Sequence, residues 1–424
     1  MVHIVFTLIT GATLLGILLR VFSVVSLPVG GRMLPLQSET SYHGEKAEWN
    51  DILRVLAWAV FIRLAVYLFA WYIAPIFELG DVSSLVQRWA NWDGSHYLNL
   101  ARYGYDDFRE DGQPLFLVFF PLYPWLIRAL HLLIPSYEAC AYIISNVCFV
   151  AGCGYLYVLV ANDFSKSVAW RTVVLLSLFP FSFFFGAVRT ESLFFLTSAA
   201  SLYYIRRHRY LAASLWGACA ALSRMHGILL GVAAVAEIMV SEQPLRMLWE
   251  KRFRDFWRVV FTQVIYLPIM AVGTGIYLLL NYTVDGTPFA FLRYEEEHWD
   301  QKSQFFTKTL DTIYNMVTTS DTVMARILWL PELVLFFAGF LVLLYGIRRI
   351  PPAYSIYFFV YLFLNYSISW PLSCGRYMSC ALPMFVTLSL AGERHPWLDK
   401  GLKVVFTMSM ALLVPLFLQG KYLY

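Results

Sequence analysis

"RRHRYLAASLWGACAALSRMHGILLGVAAVAEIMV", Arg206 to Val240, holds two apolar runs, 210–223 and 225–240, parted by one polar break. At about 1.5 Å per residue, neither run crosses a ~30 Å hydrocarbon core. The stretch reads as a hairpin inside the protein, with Arg224 and His226 at its apex. Burying a charge that deep is costly, and such a residue is a functional-site candidate by default. The planar fork of Arg224 suits a phosphate, to which it donates two parallel hydrogen bonds. The plainer alternative is a structural ion pair.

The rest of the chain has the same character. Its 424 residues are 59% hydrophobic and 14% charged, against about 25% charged in an ordinary soluble domain. The fold class expected is all-α, a polytopic transmembrane helical bundle forming a single domain over 1–424. Spans are expected at 3–20, 52–77, 115–134, 139–161, 170–187, 190–205, 259–283, 326–347, 353–370, 377–391 and 402–419. Residues 1–27 form an extra N-terminal helix. Val2 to Leu19 lacks the basic start and the small-residue cleavage site of a signal peptide, so the helix reads as retained. The six cysteines mostly sit in apolar runs and read as small buried residues; only Cys374 and Cys380 raise the thought of a disulfide. No basic arm or zinc-like spacing points to nucleic acid.

Lys and Arg near helix ends favour the cytoplasm. "RRHR", the run from Arg246 to Arg258, Arg348/Arg349 and Arg394/Lys400/Lys403 are therefore expected inside, as is 28–51. Two polar segments, 78–113 and 284–324, and "PLSCGRY" (Pro371–Tyr377) then fall outside. One inconsistency follows. Four spans are counted between an external 113 and a cytoplasmic 206, where an odd number is required. Either "FFPLYP" or "FPFSFF", both broken by proline, must fail to cross.

The external segment 78–113 carries "NWDGSHYLNLARYGYD", Asn91 to Asp106. A helix over 89–103 puts Asp93, His96, Tyr97 and Leu100 on one face, flanked by Trp89 and Trp92. Carboxylate, imidazole and phenol together could supply a base, a hydrogen-bonding partner and a stacking platform for a sugar; an amphipathic anchoring helix is the plain reading. Three further groups are sent to the same side. Glu191 of "VRTES" needs a partner, Arg189 or Arg224, or a hydroxyl-rich ligand. Arg376 of "SCGRYMS" is either a helix-end anchor or a phosphate ligand. "DGTPFAFLRYEEEHW" offers Glu295, Glu296, Glu297, His298 and Trp299 as a solvated acidic face or a polar lid. No phosphate loop, HExxH or GxSxG motif is present. Asp106, Asp107, Glu110 and Asp111 could bind a metal, but nothing in the sequence requires a cofactor.

"NWDGSHYLNLARYGYD", "LFLVFFPLYPWLIRAL", "LFPFSFFFGAVRTESLFFLTSAASLYYIRRHRYLAASLWGACAALSRMHG" and "GRYMSCALPMF" together resemble the GPI mannosyltransferase 2 family (phosphatidylinositol-glycan class V), closer to its bacterial relatives. The resemblance runs from about residue 52 to 391 and implies a GT-C-type bundle with interfacial helices in the first extracytoplasmic loop. It implies a polyprenyl- or dolichyl-phosphate mannose donor and an active site on the extracytoplasmic face, here expected to be that of the bacterial plasma membrane; the chemistry expected is inversion at the anomeric carbon, with a glycan or glycolipid acceptor. The family's Trp-Asp pair falls on Trp92 and Asp93. Asp93 is then the expected catalytic base. Trp92, His96, Tyr97, Glu191, Arg224, His226 and Arg376 are the expected substrate-binding residues, with no metal. The extra helix before residue 28 and "SRMHG", where proline or another small residue is expected after Arg224, depart from the family pattern and put the acceptor in doubt. A transferase of another lipid-linked sugar, or a transporter of lipid or small solute, is the rival reading.

Overall fold

The computed structural model of the chain describes residues 2–24, 28–29, 32–33, 44–371 and 373–420. Among these residues the fold is an all-α bundle; the only named strands pair Pro28–Val29 with Arg32–Met33. In chain order come α1 (Val2–Val24), α2 (Trp49–Ile73), α3 (Val82–Arg88), α4 (Asp93–Asp107), α5 (Leu122–His131), α6 (Tyr137–Asp163) and α7 (Lys166–Leu178). Next are α8 (Glu191–Arg206), α9 (Tyr210–Ser223), α10 (Leu230–Ser241), α11 (Pro244–Trp249), α12 (Phe253–Thr262) and α13 (Pro268–Asp285). Last come α14 (Ala290–Trp299), α15 (Phe306–Thr319), α16 (Thr322–Met324), α17 (Leu330–Gly346), α18 (Pro352–Asn365), α19 (Cys374–Met378), α20 (Leu382–Arg394) and α21 (Pro396–Leu418).

Among the described residues, five stretches are long and apolar enough to cross a membrane: α2, α6, Phe253–Asp285, Ala325–Gly346 and α21. Others expected as full spans are shorter. The expected span 170–187 becomes the 13-residue α7 and a 3-10 turn over Ser182–Gly186, and α18 has 14 residues. Starts follow local chemistry. Ser136 and Ser165 accept the first free N–H groups of α6 and α7, while α13, α17, α18, α20 and α21 each carry proline in the first turn.

The expected span 115–134 is corrected. It folds as a 3-10 turn, Leu115–Val118, and the ten-residue α5. Ten residues rise only about 15 Å, half a bilayer core, because Pro121 and Pro124 break the run. Only α6, α7 and α8 then connect the two ends of the bundle in this part of the chain, and the odd number is restored. The hairpin is borne out: α9 and α10 flank Arg224 and a 3-10 turn, Met225–Leu229, and return to the same end.

Buried ions mark that end. Arg206 Nε lies 3.0 Å from Asp163 Oδ2 and its Nη1 lies 2.7 Å from Glu237 Oε1. The Tyr354 hydroxyl donates to Asp163 at 2.5 Å. Lys166 pairs with Asp51 at 2.9 Å nearby. The closing residues of α6, α8 and α10 and the opening of α18 are thus joined at one end. Asp93, Glu191, Arg224 and Arg376 gather at the other.

Between the ends, helices approach through small residues, the usual device where lipid removes the hydrophobic drive between helices. Gly273 on α13 lies so close to α9 that an added Cβ would strike the Ala218 carbonyl, whereas Gly275, two residues on, faces open space. α1 rests against α15, α17, α18 and α10, with Thr13 and Ile17 buried. All six cysteines are free thiols, so Cys374 and Cys380 form no disulfide.

The α9–α13 contact generates a paired test. Gly273→Ala overpacks a helix crossing and is expected to cost about 1–3 kcal/mol, read as a lowered melting temperature of the purified protein. Gly275→Ala, with the same chemistry, should leave it unchanged or slightly raised.

Candidate functional site

The Trp-Asp pair sits at a break in the chain. The expected helix over 89–103 does not run through: Trp92 has φ 58° and ψ −124°, and α4 begins at Asp93. A positive φ is strained for a tryptophan. It persists because the neighbouring loop holds it, with Val188 N–H donating to the Trp89 carbonyl at 3.2 Å and Arg189 Nη2 to the Asn91 carbonyl at 3.3 Å. The break puts the Asp93 carboxylate at the first turn of α4, over the loop that opens α8.

Three arginines from three segments meet two carboxylates there. Asp93 Oδ2 accepts from Arg189 Nη1 and, at 2.8 Å, from Arg376 Nη1. Glu191 Oε1 lies 3.1 Å from Arg376 Nε and accepts from Arg224 Nη2 at 2.5 Å. Arg224 Nε also donates to Thr190 Oγ1 at 2.8 Å. Arg189, Glu191, Arg224 and Arg376 are all buried. The cluster runs Arg189–Asp93–Arg376–Glu191–Arg224 and leaves one positive charge in excess.

Not every polar atom is satisfied within the protein. Among the described residues, Arg189 Nε, Arg224 Nη1, Glu191 Oε2 and His226 Nε2 are buried and have no hydrogen-bond partner. Their residues line one cavity of about 510 Å³, a size suited to a small ligand or a sugar headgroup. Trp92, Asp93, His96, Tyr97 and Arg376 line it too. Every sequence-predicted site residue therefore faces a single chamber.

Their roles differ. Tyr97 is packed edge-on against Phe119 and Tyr123, at 5.0 and 5.4 Å between ring centres. His96 lies against Phe116 at 4.6 Å; burial pushes its pKa down, so the imidazole is neutral at pH 7. Burial pushes the Asp93 carboxyl up, but Arg189 and Arg376 outweigh it and hold its pKa well below the usual carboxylate range.

Residues 284–324 contribute selectively. Asp285, Arg293 and Tyr294 bond one another, with Arg293 Nη2 2.9 Å and the Tyr294 hydroxyl 2.6 Å from Asp285 Oδ1, and so fix α14 to the end of α13. Glu296 pairs with Lys302 at 2.6 Å on the surface. Glu295, His298 and Trp299 face the cavity. Sequence reading assigned no site role to Arg189, although its place two residues before Glu191 was a signal. It also missed Thr190, Asn365 and Tyr377, which carry no signal outside the fold. No group of three or more His, Cys, Asp or Glu side chains suited to a metal forms among the described residues, so Asp106, Asp107, Glu110 and Asp111 do not converge on one.

Known proteins bear on this geometry. Residues 114–273, less than half of the chain, match a family model described as dolichyl-phosphate-mannose-protein mannosyltransferase. No curated protein matches. Among solved structures, the chain is similar to ArnT from Cupriavidus metallidurans bound to undecaprenyl phosphate: 18% identity, TM-score 0.50, covering 82% of this chain and 62% of that one. The apo state of ArnT matches at 17% identity and TM-score 0.48, over 82% and 62%. The Archaeoglobus fulgidus oligosaccharyltransferase in its apo form matches at 12% and 0.41, over 86% and 54%. The bound ArnT structure shows a shared fold, the GT-C-type helical bundle, of which this chain spans about three-fifths of the length.

Removing one member of the cluster strands its partners. Glu191→Gln is expected to destabilise the purified protein by about 3 kcal/mol, visible as a lower unfolding temperature. Glu191→Gln combined with Arg224→Met should cost less than the two single changes added together. Additive losses would mean that the pair is not coupled.

Proposed function

We propose that the chain is a membrane glycosyltransferase that moves a sugar from a polyprenyl-phosphate carrier to an acceptor hydroxyl. The single observation that carries this reading is the buried cluster with one positive charge in excess, opening on a chamber beside membrane helices. A lipid-phosphate sugar is a phosphodiester and brings one negative charge. It therefore balances the excess charge of the cluster, whereas a nucleotide diphosphate sugar would bring an unbalanced excess of negative charge. The fold shared with ArnT, whose structure holds undecaprenyl phosphate, supports the same class of donor.

On this reading Arg224 presents its unsatisfied Nη1 to the phosphate, while Arg376 and Arg189 turn toward it from Asp93. Guanidinium groups stabilise the leaving oxygen as the sugar–phosphate bond breaks, and preorganised charge of this kind is usually the largest catalytic term. Trp92, Tyr97 and His96 shape the sugar end of the chamber, and His226 Nε2 offers a further hydrogen bond. Asp93 keeps two guanidiniums aimed and apart; it is a weak base for as long as they face it. Mannose as the sugar rests on the resemblance to the GPI mannosyltransferase 2 family. The Lys- and Arg-rich segments at the Asp163–Arg206–Glu237 end are cytoplasmic by the positive-inside rule, which turns the chamber outward, where charged nucleotide donors do not cross the bilayer. A bacterial plasma membrane and a glycan or glycolipid acceptor complete the reading.

Purified protein incubated with a panel of polyprenyl-phosphate sugars should release sugar from one of them, mannose being the first expected. Asp93→Asn should lower kcat by about 10²-fold or more while donor affinity stays level or rises, since the substitution removes a negative charge. A protein that is inert toward every donor, or unaffected by Asp93→Asn, is not this enzyme.

A further inference from the structure

α12 carries two apolar sides. One docks the helix on the bundle: Val259 is buried and Phe256 partly buried against Tyr210, Ile238 and Met247, a small cluster separate from the main core. The other faces outward. Phe253, Trp257 and Phe261, each one turn from the next, are all exposed, and Trp257 stacks on Phe261 at 5.6 Å between ring centres. Core packing does not account for this second row, and an exposed apolar patch with a polar rim marks an interaction surface.

The position of α12 fixes what that row meets. Gln263, at its end, donates from Nε2 to Glu242 Oε1 at 2.7 Å, just past Glu237 of the buried ion group. The helix therefore lies at the Asp163–Arg206–Glu237 end of the bundle, opposite the chamber. The apolar stretch Phe253–Asp285 has 33 residues, about 50 Å of helix against a core of about 30 Å. α13 has 18 of them and fills that core alone at about 27 Å, which leaves α12 at the boundary between hydrocarbon and water. The exposed row continues in steps of three and four residues through Val264, Pro268, Val272, Ile276 and Leu279. The outer side of a spanning helix meets lipid, so the aromatic row on α12 meets the edge of the same bilayer.

Beside the rings stands a file of cations. Arg252 is held by Asp255 at 2.6 Å and Glu250 at 3.5 Å, and Arg246 by Glu250 at 2.7 Å; these pairs set the turn between α11 and α12. Lys251, Arg254 and Arg258 are exposed, and among the described residues none of them has an ion pair. Spaced by three and four residues, they share one side of the helix, bordering Trp257 and Phe261. The nearby acids, Glu242, Glu250 and Asp255, are already bonded. We infer that α12 is a binding surface for anionic phospholipid headgroups of the leaflet that the positive-inside rule makes cytoplasmic. The rings enter the acyl boundary, and the guanidiniums make charge-assisted hydrogen bonds to phosphate. With no free carboxylate beside the file to meet a choline, a headgroup of net negative charge is preferred to a zwitterionic one. The surface lies at the opposite end of the bundle from the chamber and is independent of the glycosyltransferase reading.

Full-length protein in detergent, titrated with phosphatidylglycerol or phosphatidylcholine and read by native mass spectrometry, provides the test. The wild type should bind phosphatidylglycerol about ten-fold tighter or more. Lys251→Gln, Arg254→Gln and Arg258→Gln together should weaken phosphatidylglycerol binding by about five-fold per charge removed and leave phosphatidylcholine unchanged. Arg348→Gln, Arg394→Gln and Lys400→Gln together remove equal charge from exposed positions and should leave the preference intact. Trp257→Ala with Phe261→Ala should weaken both lipids alike. Inorganic phosphate, which has no acyl chain, should displace neither. All these side chains are exposed, so each variant should unfold at the wild-type temperature. Equal affinity of the wild type for the two lipids overturns the assignment. So does a preference that survives loss of the α12 cations, one that falls equally in the control, or displacement by inorganic phosphate. A dimer in nanodiscs that the α12 variants dissociate gives this face to a second copy and overturns it too.

Discussion

The Arg189–Asp93–Arg376–Glu191–Arg224 cluster is the constraint on which the rest depends. It joins α4, the opening of α8, the end of α9 and α19, which are far apart in sequence. Taking the four buried charges out of water costs several kcal/mol each, and attraction within the cluster repays this only if the geometry is complete. Each carboxylate accordingly bridges two guanidiniums. The strained backbone at Trp92 and the docking of the 187–189 loop on Trp89 make sense as the cost of bringing Asp93 to this point. An apolar core of similar shape would be at least as stable, so the presence of charge here points to use rather than to holding the fold together.

A second buried ion group, Asp163–Arg206–Glu237, closes the other end of the bundle, but it is differently made. There one arginine is shared by two carboxylates, with a tyrosine hydroxyl and His208 completing the shell. Arg206 lacks the unsatisfied atoms seen on Arg224 and Arg189, and neither it nor its partners line the chamber. Comparing the two ends separates a structural clasp from a site: both are buried and charged, yet only one leaves cationic donors facing a chamber.

Much of the architecture was legible because it depends on run length and charge position alone. The hairpin at Arg224 followed from two runs too short to cross. The failed span at 115–134 was narrowed to two proline-broken segments but not chosen, since a 3-10 turn and a ten-residue helix differ from a kinked span only in how α5 packs. The site was legible in its members and not in its pairings. Arg189 was considered as a partner for Glu191, but the turn before α8 sends it to Asp93. Glu295 was one of three consecutive glutamates. Which of them faces inward is set by how α14 docks, through the Asn281 side chain accepting the Phe291 N–H at 3.0 Å and through the Asp285–Arg293–Tyr294 contacts, none of which periodicity reveals.

The pairing pattern also explains why a strongly held carboxylate belongs beside a phosphate site. A guanidinium has five donors, so Arg224 can hold Glu191 and Thr190 and still offer Nη1 to a further anion. In the ground state a phosphodiester spreads one charge over its oxygens and competes weakly with Asp93 for Arg189 and Arg376. As the sugar–phosphate bond stretches, charge gathers on the leaving oxygen and its pull on the same guanidiniums grows. The attraction therefore strengthens along the reaction coordinate, and only interactions that strengthen in this way accelerate a step. Free arginines would bind donor and transition state alike. Tethering them to Asp93 keeps ground-state affinity modest and reserves the full electrostatic response for the moment the bond breaks.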